Sequence, residues 1–172
     1  TPPVVKNIII ANCVALLATT LLPFGDDIIA RFALFNVESP LFHSYQIFTY
    51  MFLHGGVSHL FFNMFSLLMF GPLLERTLGE KRFLFYYITC GIGAALVQEL
   101  VWQFTWKDIF APMFANQAGW SMAEAHQALD MAIAQGQNIP ALNALLTVGA
   151  SGGIFGILLA FGMLFPNLPL YI

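Results

Sequence analysis

The feature that most constrains this chain is a series of apolar runs of the length that crosses a lipid bilayer. Four runs are predicted as membrane-spanning helices, at residues 8–24, 60–74, 83–101 and 145–165. A spanning helix needs about 20 predominantly apolar residues. Of the 172 residues, 59% are hydrophobic and only 9% are charged, which no soluble domain of ordinary composition matches. The sequence therefore predicts an all-α, multi-pass membrane helix bundle.

Composition also argues against several kinds of partner. The net charge is −3 and no basic stripe is present, so nucleic acid is not an expected partner. Cys13 and Cys90 both lie in apolar runs, which favours small buried side chains over a disulfide or a metal pair. Without a cysteine cluster or an H-E-x-x-H motif, neither a metal nor a cofactor is predicted.

The first run is interpreted as a retained membrane helix. A cleaved signal peptide is the alternative, but Lys6 alone makes a poor charged region and no A-x-A-like site follows. The sequence starts at Thr1 and stops at Leu170-Tyr171-Ile172 without a polar tail. We therefore expect the natural chain to extend past this segment.

The segments between the runs have their own patterns. Residues 26–48 mix acids, histidine and phenylalanine and predict an interfacial loop with short half-buried helices. Residues 107–140 are expected to leave the membrane and to contain an amphipathic helix, which starts at a Ser121/Glu124 capping box and ends at Gly136. On that helix His126 is expected to be a surface residue. Its apolar positions at helical spacing are Met122, Ala125, Leu129 and Ile133.

The third run carries two kinds of packing signal. Its small residues predict a face for close helix packing. Three tryptophans at and beyond its end suggest an interfacial aromatic belt. The small residues are Gly91, Gly93, Ala94 and Ala95, and the tryptophans are Trp102, Trp106 and Trp120.

The connector at residues 75–82 predicts the orientation. It holds three of the six basic residues, so the positive-inside rule makes it cytoplasmic, together with the N-terminus. His54, His59 and Ser151 then all lie toward the outer side. Glu75 is interpreted as a surface ion-pair residue and Gly79 as a helix C-cap.

Polar residues inside a membrane helix are functional candidates. His54, His59 and Asn63 form H-x4-H-x3-N, and His59 and Asn63 share one helix face. In a low-dielectric cavity these two donors could stabilise an oxyanion. A polar pair joining two helices is an equally open interpretation. A haem-binding histidine pair is disfavoured, because the i,i+5 spacing of His54 and His59 turns them to different helix faces.

Ser151 is predicted to start a membrane helix, within Gly149-Ala150-Ser151-Gly152. Free N–H groups at a helix N-terminus favour developing negative charge, so this serine could be a nucleophile beside an oxyanion hole. The structural alternative is a helix-packing motif formed by Gly152 and Gly156.

Together, these motifs resemble the rhomboid family of intramembrane serine proteases, from Tyr45 onward. The family pattern has H-x4-H-x3-N on the second membrane helix and G-x-S-G on the fourth, with an E-x-x-x-G turn that Glu75 and Gly79 match. Tyr45-Gln46 stands where members often carry Trp-Arg.

The resemblance implies a single rhomboid-like membrane domain over 1–172, with four of six spans present. Ser151 would be the nucleophile, while His59, Asn63 and the Ser151 N–H would form the oxyanion hole. His54 would support that cavity. The implied function is a serine endopeptidase that cleaves transmembrane segments of substrate proteins in the lipid bilayer.

Two departures from the family pattern affect these expectations. The family's general base is a histidine on the sixth helix in an A-H-x-x-G setting, which neither His43 nor His126 shares. We therefore expect the base to lie beyond this chain and the fragment alone to be inactive. Phe155 stands where some members carry a tyrosine that packs on the catalytic histidine.

Two other function classes stay open. One is a proteolytically inactive rhomboid-like protein that binds transmembrane clients. The other is a small transporter or channel, with His59, Asn63 and Glu99 lining a path. Transporter folds often contain inverted repeats, and the two halves of this chain show no self-similarity.

Overall fold

The computed structural model describes residues 1–168, so the end of the chain at Leu170-Tyr171-Ile172 lies outside the described residues. Helices dominate the described part, with one short two-stranded sheet. In chain order the elements are α1 (Pro3–Leu21), α2 (Gly25–Phe32), β1 (Leu34–Phe35), α3 (Gln46–Thr49), α4 (Val57–Leu78), α5 (Glu80–Ala118), α6 (Met122–Ala134), β2 (Leu146–Thr147) and α7 (Ser151–Leu164). Short 3-10 turns cover Tyr50–Phe52 and Pro140–Ala144.

The helix lengths confirm a membrane helix bundle. Within residues 1–168, α1, α4 and α5 are long and apolar enough to cross a membrane, and α7 is a shorter apolar helix. The sequence placed the start of the last span at residue 145, but α7 starts at Ser151. The residues before it are extended because Leu146 pairs with Phe35 and Thr147 with Leu34, in an antiparallel ladder.

Helix α5 is longer than the sequence predicted. The predicted span ended at Val101, yet the helix has 39 residues and ends at Ala118; no glycine or proline interrupts residues 95–111, and Pro112 lies inside the helix without ending it. At 1.5 Å per residue it is about 58 Å long, well beyond a hydrocarbon core of about 30 Å. Its C-terminal part therefore extends past the core as a continuous helix.

Helix α6 packs against this extension. Its predicted capping box is present: Ser121 Oγ accepts from the Glu124 N–H, and Glu124 Oε2 accepts from the Ser121 N–H at 2.7 Å. Ala125 and Leu129 are buried. Lys107 pairs with Asp130 between the two helices.

Near α6, His126 is partly exposed, as a surface residue is, whereas two of the three tryptophans differ from their predicted role. The Nε2 of His126 lies 3.2 Å from Oδ1 of Asp108, an exposed side chain on α5. Trp102 and Trp106 were expected in an interfacial belt, but both are buried in the protein core, whereas Trp120 is exposed.

Glu75 ties α1 to the end of α4. Its carboxylate is 2% exposed and accepts hydrogen bonds from the Val4 N–H at 2.9 Å and the Val5 N–H at 2.8 Å. These donors belong to the first turn of α1, which has no side-chain cap of its own. The prediction of a surface ion pair was therefore wrong. Gly79 (φ 81°) ends α4 as the predicted C-cap.

The small residues of α5 allow α7 to approach closely. A Cβ on Gly152 would lie 2.5 Å from Ala94 Cβ, and one on Gly156 would collide with Cys90. The predicted packing face is therefore used, although Gly93 faces open space.

The segment between α2 and α3, residues 33–45, is called the first loop. It is held together by Gln46, which is fully buried. Its Nε2 donates to Arg31 O at 3.1 Å and to Leu41 O at 2.9 Å. Its Oε1 accepts from the His43 N–H at 3.1 Å and the Phe35 N–H at 3.4 Å. This amide organises the loop that contains β1, and β1 in turn orders β2 ahead of α7.

Candidate active site

Ser151 occupies the first position of α7, as the sequence predicted. The residue before it, Ala150, has no side-chain acceptor, so the first-turn N–H groups of α7 lack a side-chain cap. The Ser151 N–H is one of these groups, and the side chain is half-buried. The serine hydroxyl therefore lies at the electropositive end of an apolar helix.

The segment at residues 149–151, called the serine loop below, lies against α4 because of Gly149. Its backbone has φ 131°, which strongly favours glycine, and its N–H donates to Tyr50 O at 3.0 Å. A Cβ on Gly149 would lie 2.9 Å from both Cε1 and Nε2 of His59, and 3.7 Å from Nδ2 of Asn63. Residues about 90 positions apart in the chain thus meet at one place.

A backbone contact determines the tautomer of His59. The Gly55 N–H donates to His59 Nδ1 at 3.4 Å, so Nδ1 is the acceptor and the proton of the neutral ring is on Nε2. Nε2 is also the ring nitrogen that faces Gly149. His59 therefore presents an N–H donor to the serine loop.

Asn63 is oriented by His54. Its Nδ2 lies 2.9 Å from His54 Nε2, and both residues are buried. Asn63 can only donate here, so His54 accepts and is neutral, with its proton on Nδ1. Burial, followed by the nearby His59, lowers the pKa of His54 to about 4, which maintains this neutral form. One hydrogen of the Asn63 amide remains available for a further acceptor.

His54 and His59 are neighbours in space. Their ring centroids are 5.0 Å apart in an edge-to-face arrangement. The prediction that they face different sides was wrong, because His54 precedes α4, which starts at Val57, and helical spacing does not apply to it.

The arrangement is suited to stabilising negative charge. The His59 Nε2 and the Asn63 Nδ2 lie against Gly149, which stands two residues before the first position of α7. Preorganised donors in a site of low dielectric constant are what an oxyanion requires. Asn63 bonds back to the loop before its own helix, so this polar pair does not join two membrane helices within residues 1–168.

The remaining residues singled out in the sequence do not contribute to this site in the described part of the chain. His43 Nδ1 lies 3.1 Å from Leu41 O, and His126 is paired with Asp108, so neither provides a general base to Ser151 in the described residues. Phe155 is 70% exposed on α7 and packs on no histidine within residues 1–168. Glu99 is buried and accepts from the Val37 N–H at 3.0 Å, so it anchors the first loop.

Sequence patterns did not identify two residues that shape this site, Gly55 and Tyr50. Gly55 orients His59 through its backbone, which leaves no side-chain signal. Tyr50 carries a weak signal, since a phenol within an apolar segment needs a hydrogen-bond partner when buried.

Comparisons with known proteins give one family. The model of the rhomboid domain matches residues 42–172. The "Putative rhomboid protease YdcA" of Bacillus subtilis (strain 168) is 46% identical over 48 residues, which cover 28% of this chain and 24% of that protein. "RHOMBOID-like protein 6, mitochondrial" of Arabidopsis thaliana is 36% identical over 59 residues, which cover 34% of this chain and 19% of that protein. The matches therefore span about a quarter or less of these relatives. No solved structure matches.

Proposed function

The chain belongs to the rhomboid family, and on that premise we propose that it acts as an intramembrane serine endopeptidase with Ser151 as its nucleophile. The observation that carries the proposal is the packing of Gly149 against His59 and Asn63. This contact brings the start of α7 to two side-chain donors on α4. Ser151 attacks the scissile carbonyl, and the oxyanion is held by its own N–H, by His59 Nε2–H and by Asn63.

Each site residue has a defined role in this proposal. His54 supports the cavity by accepting from Asn63, which leaves the second hydrogen of that amide available for another acceptor. The general base takes the serine proton and passes it to the leaving amine. None of the four histidines here stands in the A-H-x-x-G setting, so the proposal places the base on a segment outside these 172 residues.

The substrate is a transmembrane segment in the lipid bilayer. β2 is paired with β1 on one edge, no strand within residues 1–168 pairs with its other edge, and it ends two residues before Gly149. An unwound substrate segment can pair with such an edge through its backbone.

The orientation follows from the basic residues. The residues at 75–82 make their end of α4 cytoplasmic, and His59 lies about 24 Å away along the same helix. The site therefore opens to the outer side, and the N-terminus is cytoplasmic.

The test is Ser151→Ala in the natural full-length protein, reconstituted with a model transmembrane substrate. We expect loss of cleavage and of labelling by a fluorophosphonate probe, because both need the serine oxygen. Ser66→Ala is the matched control, since that hydroxyl bonds only Phe62 O within α4, at 2.9 Å. Cleavage by the Ser151→Ala protein at the wild-type rate would refute the assignment.

A second candidate is a proteolytically inactive rhomboid-like protein that binds transmembrane clients. It requires the same family fold and the same packing of Gly149 against α4, but no general base. Failure of the wild-type full-length protein to react with the probe, together with retained client binding, would support this candidate instead.

A further inference from the structure

Tyr50 joins three parts of the molecule directly behind the serine loop. It lies in the 3-10 turn after α3 and is 5% exposed. Its backbone oxygen accepts from the Gly149 N–H at 3.0 Å. Its hydroxyl donates to Gly91 O on α5 at 2.7 Å. One residue thus links the serine loop to the longest helix of the bundle.

The phenol fits there because two glycines leave room for it. A Cβ on Gly152, in the first turn of α7, would lie only 3.1 Å from the Tyr50 hydroxyl oxygen. A Cβ on Gly91 would collide with Met51, the residue next to Tyr50. The ring therefore fills the junction where α5 meets the start of α7, which restricts its movement.

The hydroxyl stays protonated over the whole neutral range. Burial raises the pKa of Tyr50 to about 12, so the group remains a donor. A carbonyl has two lone pairs, so Gly91 O can accept from the phenol in addition to its own helix.

We propose that Tyr50 is a positioning residue for the serine, which holds the Gly149–Ser151 loop in register with His59 and Asn63 through its backbone oxygen while its hydroxyl is anchored to α5. This inference rests on the proposed function. Without the anchor, Tyr50 can shift, and the loop that bonds to its carbonyl shifts with it. Misplacement by about 1 Å can reduce a rate by about 100-fold, so a partial shift gives an effect of about tenfold.

The test compares two tyrosine hydroxyls in the full-length protein. Tyr50→Phe removes the bond to Gly91, and Tyr86→Phe removes a bond of similar length, 2.8 Å, from α5 to Gly156 O on α7. Tyr86 also bonds across the α5–α7 region, but it lies on α5 itself and contacts α7 at Gly156, five residues past the serine. We expect Tyr50→Phe to lower kcat about tenfold with little change in KM, and Tyr86→Phe to leave kcat unchanged.

Hydrogen exchange provides a readout that does not depend on cleavage. The amide of Gly149 should exchange faster in Tyr50→Phe than in the wild type or in Tyr86→Phe, because its acceptor is less firmly held. Incorporation of 4-aminophenylalanine at position 50 restores a donor and should restore both kcat and protection.

The outcomes separate the two proposals. Equal loss of kcat in Tyr50→Phe and Tyr86→Phe would overturn the positioning role in favour of general packing of α5 on α7. Unchanged kcat and exchange in Tyr50→Phe would also overturn it. If the wild-type protein does not cleave, the proposed function fails, and the exchange comparison alone still decides whether Tyr50 holds the loop.

Discussion

Substitution of Gly149 by alanine tests the contact on which the site depends. The new Cβ would lie 2.9 Å from two atoms of the His59 ring, whereas ordinary carbon contacts begin near 3.4 Å. The ring cannot easily retreat, because its Nδ1 accepts from the Gly55 N–H and its centroid lies 5.0 Å from that of the His54 ring. The substitution should therefore displace either His59 or the serine loop.

The loss of stability expected for Gly149→Ala has two contributions. Alanine at φ 131° is strained by about 1–3 kcal/mol, and the overpacked contact adds about 1–3 kcal/mol. We expect the free energy of unfolding to fall by about 2–6 kcal/mol. Removing one oxyanion donor typically lowers kcat about 100-fold or more, so displacement of His59 should have an effect of that order.

Gly136→Ala is the matched control. Gly136 also has a positive φ, 65°, but a Cβ there would meet nothing within 4 Å. It should lose about 1 kcal/mol of stability from strain alone and keep its cleavage rate. Both proteins would be compared by denaturant unfolding in micelles and by cleavage of a model transmembrane substrate. If Gly149→Ala cleaves as fast as Gly136→Ala, the reasoning about the His59 contact is wrong.

Three further perturbations test other parts of the fold. Glu75→Ala should lower the free energy of unfolding by about 3 kcal/mol, because two charge-assisted hydrogen bonds to α1 are lost. The exposed Glu80→Ala should change it by less than about 0.5 kcal/mol in the same denaturant titration. The pKa of His54 is about 4 in the folded protein against 6.5 ordinarily, so the unfolded chain binds more protons between these values. Stability should therefore be complete above pH 6.5 and fall by about 2 kcal/mol toward pH 4, allowing for solvent screening, and His54→Gln should flatten this profile. Gln46→Leu leaves buried backbone groups of the first loop without partners, so limited proteolysis should cut residues 34–45 faster than in the wild type, and unchanged resistance would contradict the role given to this amide.

Much of the fold was predictable because its signals are local. Apolar runs predicted the membrane helices, Gly79 predicted the end of α4, and the Ser121/Glu124 pair predicted the start of α6. Each of these signals determines the backbone conformation of residues that are only a few positions away in the sequence. The long continuation of α5 was missed, because residues 107–140 were expected to leave the membrane, whereas the helix continues to Ala118 with Pro112 inside it.

The candidate site was predictable only as separate parts. The spacing of His54, His59 and Asn63 and the G-x-S-G segment were both visible, and the resemblance to a family joined them. The two segments can pack together because Gly149 has no side chain. Gly55 orients the His59 ring, and His54 orients the Asn63 amide. A spacing rule for helices even misplaced His54, because the rule does not hold outside the helix.

The sequence by itself determined that this chain is a membrane helix bundle with a G-x-S-G segment close to the start of an apolar helix. Composition, periodicity and caps act over a few residues and need no knowledge of neighbours. Only the tertiary structure decided that Glu75 caps α1, that Trp102 and Trp106 are core residues, and that Tyr50 lies behind the serine. In each case the partner comes from a distant part of the chain, so the role of the residue exists only once the helices have packed.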